Sequence, residues 1–309
     1  MPVPVLTIEI PWDPDITTLG GLLITWHGLF TAVGILAGVQ LALRMARVVG
    51  FDEDDAYTLA LIGVPGGVIG ARLLFIAERG TWSPREVIAI TEGGISIWGA
   101  ILGGVAAALA FAVWRGYPIA RGLDIGAFGL ILGQAVGRIG DLINGEHIAK
   151  ATSLPWGVIY TDPDSPAFAH GIRIGETAPS ATVFIEPLNR AFTFGAVHPA
   201  TTYELLGDLA ILGLLFVALY RVFPRRPGLT FFVYLVGYAV MRFFMTYLRI
   251  DSSETLLALK VPQLVALLVV LAAIPGIWYF WRQPQEPPDS PVGPSEPPRR
   301  RGLRVRVRE

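Results

Sequence analysis

The stretch GISIWGAILGGVAAALAFAVW, Gly94–Trp114, runs for 21 residues without an ionisable side chain. A helix needs about 20 mostly apolar residues to cross a bilayer, so this stretch reads as a transmembrane helix. Six further stretches of similar character flank it: Gly21–Leu43, Ala56–Ile76, Leu123–Val136, Tyr203–Phe223, Leu229–Tyr247 and Val261–Phe280. The shortest, Leu123–Val136, turns polar at its end. The whole chain agrees with this reading. Its 309 residues are 53% hydrophobic and 16% charged, against roughly 25% charged in a soluble domain, and mean hydropathy is +0.55. A water-soluble enzyme is thereby disfavoured. Net charge −1 argues against a generally basic nucleic-acid binder. With no cysteine in the chain, disulfides, thiolate metal sites and a cysteine nucleophile are all excluded. The 35 glycines suit helices that pack closely in lipid.

The expected fold is an all-α membrane protein. It is a bundle of seven transmembrane helices, with a small extracytoplasmic head between the fourth and fifth. Residues 1–20 form an N-terminal segment with Pro2, Pro4, Pro11 and Pro14, no basic residue and no continuous apolar core, unlike a signal peptide. Residues 21–283 make the bundle. The head occupies 150–200, where Thr182–Pro187 has strand composition and Asp162–Pro166 reads as a turn cluster. Residues 284–309, rich in proline and arginine, are expected to be a disordered cytoplasmic tail, solvated or brushing anionic head groups.

Positive charge orients the bundle. One set of connections carries Arg44, Arg47, Arg115, Arg121, Arg221, Arg225 and Arg226, and the tail adds Arg282, Arg299, Arg300, Arg301, Arg304, Arg306 and Arg308. The other side carries Arg79, Arg85, Lys150, Arg173, Arg190, Arg249 and Lys260. The first set is read as cytoplasmic and the N-terminus as outside. Without the tail the two sides are equal, so the orientation leans on the tail.

Ionisable groups inside membrane segments are costly and mark sites or pathways. Here they are His27, Arg72, Asp124, Arg138, Glu146, Glu204, Asp208 and Arg242. Arg138 lies in Gly137-Arg138-Ile139-Gly140-Asp141-Leu142-Ile143-Asn144-Gly145-Glu146, where the fourth apolar run ends, and Arg242 lies mid-helix. Guanidinium forks suit bidentate phosphate contact, and two from separate helices could clamp one lipid phosphate. Tyr238, one turn before Arg242, shares its face, as does Arg249 seven residues on. The competing structural reading pairs Arg138 with Asp141 or Glu146, and Arg242 with Glu204 or Asp124. For Arg249 it is snorkelling to the interface. His198-Pro199 with Tyr203-Glu204 opens the fifth helix, and Gly66, Gly67 and Gly70 before Arg72 suit tight helix packing.

In order and spacing these motifs resemble one family, the bacterial prolipoprotein diacylglyceryl transferases, over about Leu19–Phe280. Gly137–Glu146 is similar to its signature. Also similar are Gly70-Ala71-Arg72, Glu92-Gly93-Gly94, His198-Pro199 with Tyr203-Glu204, and Tyr238 with Arg242 and Arg249. The resemblance implies transfer of the diacylglyceryl group of phosphatidylglycerol to the lipobox cysteine of a prolipoprotein signal peptide. A thioether forms and glycerol phosphate leaves, in the bacterial inner membrane and without a cofactor or metal. The thiol would be the substrate's own. Arg138 and Arg242 match the family's essential arginines. Asn144, Glu146, Arg72, His198, Tyr203, Glu204, Tyr238, Arg249 and Trp98 would serve phosphatidylglycerol binding.

The chain departs from the family pattern at five places. His27 stands for a tyrosine, Trp98 for a frequent histidine, Asp141 for the signature asparagine, Ala149 for a glycine and Thr246 for a glutamate. Trp98 cannot act as a base, which leaves His27 or Asp141 as the catalytic candidate, or deprotonation elsewhere. Other readings of the chain are a diverged lipid or lipoprotein binder, an anion transporter lined by the arginines, and a serine protease using Ser96 with His27 or His198. His27, His147, His170 and His198 show no metal-ligand spacing.

Overall fold

The computed structural model describes residues 7–80, 82–83, 86–87, 94, 96–175, 180–251, 254–256 and 258–287. Eight helices are described: α1 (Trp26–Val49), α2 (Glu53–Arg79), α3 (Ile97–Arg115), α4 (Ile119–Asn144), the short α5 (Phe168–Gly175), α6 (Ala200–Val217), α7 (Leu229–Met245) and α8 (Val261–Arg282). Wider π-type turns carry α6 on to Val222. Six of these, α1, α2, α3, α4, extended α6 and α8, are long and apolar enough to cross a membrane, while α7 has 17 residues. Local chemistry sets the starts. Thr25 Oγ1 accepts from Gly28 N at 3.0 Å to cap α1. Asp52 caps α2 through Asp55 N at 3.0 Å, with Glu53, Asp54 and Asp55 in its first turn, where the helix dipole favours negative charge.

Helix α4 is central. It packs on α1, α6 and α7, and Phe128 and Ile131 sit fully buried beside Leu215 of α6 and Tyr234 of α7. α1 and α4 meet backbone to backbone, since a Cβ on Gly34 would lie 2.7 Å from the Gly133 carbonyl oxygen. α2 and α3 form an equally close hairpin. There Gly66, Gly67 and Gly70 face Ala100, Gly103 and their neighbours, and a Cβ on Gly67 would come 3.1 Å from the Ala100 oxygen. Tight packing is therefore what the α2 glycines do. Without a hydrophobic drive between helices in lipid, such close contact supplies the van der Waals attraction.

The connections sort to two ends. At one, Arg121 donates to the Gly50 carbonyl at 3.0 Å and pairs with Glu286 at 2.5 Å, while Glu286 N donates to the Arg225 carbonyl at 3.1 Å. The described start of the expected tail, 284–287, is thus tied to the bundle. Arg299, Arg300, Arg301, Arg304, Arg306 and Arg308 lie outside the described residues, as do Pro2, Pro4, Arg85, Glu92 and Gly93. At the other end lie small two-stranded sheets. β1 (Ile8–Ile10) pairs in parallel with β4 (Val158–Tyr160), and β2 (Asp15–Leu19) pairs antiparallel with β3 (Leu22–Thr25). β5 (Ser180–Ile185) pairs with β6 (Arg190–Gly195), and β7 (Glu254–Leu256) with β8 (Leu259–Lys260). The strand read at Thr182–Pro187 is β5, ended by a 3₁₀ turn at Glu186–Leu188. The Asp162–Pro166 cluster is a turn, with Asp164 N donating to Asp162 Oδ1 at 2.9 Å.

Three boundaries differ from expectation. Residues 21–25 belong to the β2–β3 hairpin, because Gly20 and Gly21, at φ 57° and 84°, form its tight turn. The fourth segment is not short: α4 continues through Arg138 and Asp141 to Asn144, where Gly145 at φ 68° closes it. Its polar last turns are turned inward. A Cβ on Gly140 would lie 2.7 Å from His27 Cα, so hydropathy alone under-reads this helix. Finally, α7 stops at Met245 and the chain folds back, with Lys150 N donating to the Leu248 carbonyl at 2.9 Å and Ile250 N to that of Ile148 at 3.0 Å.

The close approach of α1 and α4 is testable. Gly34→Val is expected to lower the thermal midpoint of the detergent-solubilised protein, by about 1–3 kcal/mol of overpacking strain. Gly126→Ala on α4, with no atom within 4 Å of the added Cβ, is expected to leave that midpoint unchanged or slightly higher.

Candidate active site

Glu204, near the start of α6, is fully buried and meets three guanidinium groups. Arg242 Nη1 of α7 donates to Oε1 at 2.5 Å, and Arg249 Nη1 lies 3.4 Å from the same oxygen. Arg138 Nη2 of α4 makes a charge contact with Oε2 at 3.0 Å, outside hydrogen-bonding geometry. The second fork nitrogen of Arg138, Nη1, donates to Asp141 Oδ2 at 2.7 Å. Desolvating an ion costs several kcal/mol, offset only by good pairing, so these groups are held where they can reach one another. The two arginines expected to act together, Arg138 and Arg242, do share one carboxylate.

Asp141 links this cluster to two histidines. His27 Nδ1, in the first turn of α1, is 2.6 Å from Asp141 Oδ1. His147 Nε2 is 3.2 Å from Oδ2, and Arg249 Nη2 donates to His147 Nδ1 at 2.8 Å. Arg249 also holds Asp251, at 3.1 Å through Nε and 2.5 Å through Nη2. Burial opposes the charged form of His147, but its contacts with Asp141 and Asp251 outweigh burial and raise its pKa above the ordinary value. Burial likewise pushes the Asp251 carboxyl upward, yet hydrogen bonds from His147 and Arg249 win and hold it below the usual carboxylate range. Asn144 closes the rim: its Nδ2 donates to Glu146 Oε1 at 3.0 Å and its Oδ1 accepts from His27 N at 3.3 Å. His27, Asp141 and Glu146 each place one atom within 4.8 Å of the others, as do Asp13, Asp162 and Asp164 at the surface. In the first group His27 and Asp141 are joined by a hydrogen bond and Asp141 also bonds Arg138, while Glu146 Oε2 lies 3.6 Å from His27 Nδ1.

The other predicted residues fall into three places. Tyr238 lies within electrostatic range of Arg138 and stacks on Tyr234, with ring centroids 6.2 Å apart. His198 and Tyr203 flank the start of α6, where Tyr203 Oη accepts from Trp156 Nε1 at 2.7 Å. Burial and then the charge of Lys150 push the pKa of His198 down. Arg72 is buried on α2, and its described partners are at the α2–α3 connection, the carbonyls of Glu86 at 2.7 Å and Gly94 at 2.9 Å. Trp98 is exposed on α3. Ser96 donates to Glu78 Oε1 at 3.1 Å rather than engaging a histidine, which removes the support for the protease reading. Arg249 does not snorkel. The chain reversal after α7 places it off the helical face of Arg242 and 5% exposed. Asp124, an expected alternative partner of Arg242, sits at the other end, accepting from Gly228 N at 2.7 Å and Phe231 N at 2.8 Å to cap α7.

Residues 14–279 match the family model described as prolipoprotein diacylglyceryl transferase. The chain belongs to this family. Curated relatives named phosphatidylglycerol–prolipoprotein diacylglyceryl transferase include that of Gloeobacter violaceus, 33% identical over 274 residues, or 87% of this chain and 93% of the relative. The protein of Synechococcus elongatus is 33% identical over 89% of this chain and 90% of its own length. That of Trichormus variabilis is 30% identical over 96% of this chain and 99% of its own length.

Within this family member, departures from the pattern are joined in space. His27 and Asp141 are each other's partner, Ala149 bridges to Arg249 across the chain reversal, and Thr246 Oγ1 donates to the Arg242 carbonyl at 2.6 Å. Sequence reasoning missed His147 and Asp251 as members of the site, and named the buried Asp208 only among the ionisable groups of the membrane segments. His147 directly follows the signature glutamate and Asp251 stands two residues after Arg249, which are weak signals. Asp208, one turn after Glu204, has neither carboxylate oxygen hydrogen-bonded among the described residues. Asp124→Ala removes the α7 cap, and is expected to cost about 1–2 kcal/mol in thermal unfolding. Product formation per folded molecule should stay unchanged, because Asp124 is remote from Glu204.

Proposed function

We propose that this protein transfers the diacylglyceryl group of phosphatidylglycerol to the thiol of a lipobox cysteine. The S–H bond breaks, the thiolate sulfur bonds to the terminal glyceryl carbon, and the C–O bond to phosphate is cleaved. Glycerol phosphate leaves with the electron pair, and the thiol proton goes first to a protein base. The observation that carries this reading is the convergence of Arg138, Arg242 and Arg249 on one carboxylate, Glu204, at the head end of the bundle. An oxyanion-binding cluster of this kind serves a phosphate leaving group. Arg138 and Arg242 bind the phosphate in place of Glu204 contacts, where preorganised positive charge stabilises the leaving oxygen as it develops. Arg249 holds Glu204 and His147 in place, and His27 and Asp141 complete the catalytic set.

Tyr238, Asn144, Glu146, His198 and Tyr203 line the lipid's polar portion in this reading. Arg72 and Trp98 act from the α2–α3 side, Arg72 by fastening that connection. The protein crosses the bacterial inner membrane seven times, with α7 as the shortest crossing, the N-terminus and head outside and the C-terminus in the cytoplasm. The grouping of the arginine-rich connections at the Arg121–Glu286 end supports this orientation.

The test is incubation of the purified protein in phosphatidylglycerol vesicles with a lipobox peptide, read by mass spectrometry. Diacylglyceryl mass is expected on the cysteine, with glycerol phosphate released in equal amount. Arg138→Ala and Arg242→Ala should each lower the rate by about two orders of magnitude or more. Undiminished labelling by both variants overturns the reading. Lipid binding without labelling by the parent protein favours the diverged binder.

A further inference from the structure

We propose that His27 is the base that takes the substrate thiol's proton, and that Asp141, braced by His147, positions it. This rests on the transfer reaction proposed above. Asp141 accepts from Arg138 Nη1 at 2.7 Å, so its carboxylate is ionised and acts only as an acceptor toward His27 Nδ1 at 2.6 Å. The ring proton of neutral His27 is therefore on Nδ1, and Nε2 presents its lone pair. Among the described residues no hydrogen bond is made to Nε2, and the side chain is 42% exposed. The ring can thus meet a thiol arriving from outside the cluster. The backbone is held as well, because His27 N donates to Asn144 Oδ1 at 3.3 Å.

His147 sets the second half of the arrangement. Arg249 Nη2 lies 2.8 Å from His147 Nδ1 and Arg138 Nη1 lies 3.2 Å from its Nε2, so the ring is held between two guanidinium groups. The same Nε2 lies 3.2 Å from Asp141 Oδ2. Both oxygens of Asp141 are then engaged, one by His27 and the other by Arg138 and His147, and the carboxylate cannot turn away. One residue orients the base and, through Arg138, the phosphate contact. The proton balance closes locally. His27 Nε2 accepts the proton as the S–H bond breaks, the imidazolium is stabilised by Asp141, and the proton passes to an oxygen of the departing glycerol phosphate. His27 acts as base and then acid; Asp141 and His147 are positioning residues.

The charged groups facing His27 are Asp141 and Arg138 of α4 and Glu146 just beyond it, with Glu146 Oε2 3.6 Å from Nδ1. The experiment compares the full-length parent, His27→Gln and Asp141→Asn in phosphatidylglycerol vesicles across a pH series. Each is supplied with a lipobox peptide carrying either cysteine or selenocysteine, whose selenol is already ionised at neutral pH. With the cysteine peptide, His27→Gln is expected to lose about 10²-fold in rate at pH 7. The loss should shrink as pH rises past about 8.5, where thiols ionise unaided. With the selenocysteine peptide it should fall to within a few-fold of the parent. Asp141→Asn should shift the acidic limb of the pH–rate profile to lower pH, since the imidazolium loses its counter-charge. A His27→Gln penalty that is the same at every pH and for both peptides, or no penalty at all, overturns the assignment of the base. An unmoved acidic limb in Asp141→Asn overturns the positioning role. Thermal midpoints within a few degrees of the parent qualify the variants as folded; an unfolded His27→Gln is replaced by His27→Asn. Absence of product from the parent itself instead overturns the proposed reaction.

Discussion

Glu204 holds the active end of the bundle together by placing one carboxylate among three guanidinium groups in surroundings that offer little water. Arg138 comes from the last turns of α4, Arg242 from α7 and Arg249 from the reversal after α7, so three chain segments converge on the start of α6. Charges in such a place each cost several kcal/mol to desolvate. The helices can end here with their arginines inward only because the carboxylate is present. The proline–alanine start of α6 and the glycine-lined α1–α4 contact are the packing conditions that bring those partners within reach.

The same arrangement explains how a closed ion-pair network can serve a reaction. Three guanidinium groups share Glu204, and Asp141 and Asp251 balance Arg138 and Arg249 from the sides. Arg242 is the least encumbered of the three. In the proposed reaction, an incoming phosphate would supply the oxygens that Glu204 supplies at rest, so the arginines would exchange one anion for another and stay desolvated.

Much of the chain was legible before any tertiary information. Apolar runs located the membrane-length helices, and α2, α3 and α8 fall within a few residues of expectation. The charges inside those runs located the cluster, since Arg138, Arg242, Glu204 and Asp141 were singled out as ionisable groups or as members of the Gly137–Glu146 motif. The errors share one cause. Arg249 was assigned to a continuing helix, α4 was cut short at Val136, and His147 was passed over. In each case a polar group's position depends on a partner distant in sequence, and neither hydropathy nor helical periodicity contains that information.

By itself the sequence determined that the chain is a helical membrane protein, which residues carry charge into apolar surroundings, and that any thiol in the chemistry comes from elsewhere. Composition and local spacing suffice for these, because burial in lipid selects for long uncharged runs and makes every exception conspicuous. Only the tertiary structure decided the pairings: Glu204 rather than Asp124 for Arg242, Asp141 as the link between Arg138, His27 and His147, and Arg72 at a separate connection. An ion pair is chosen by distance and desolvation together, and both are set by how the helices pack.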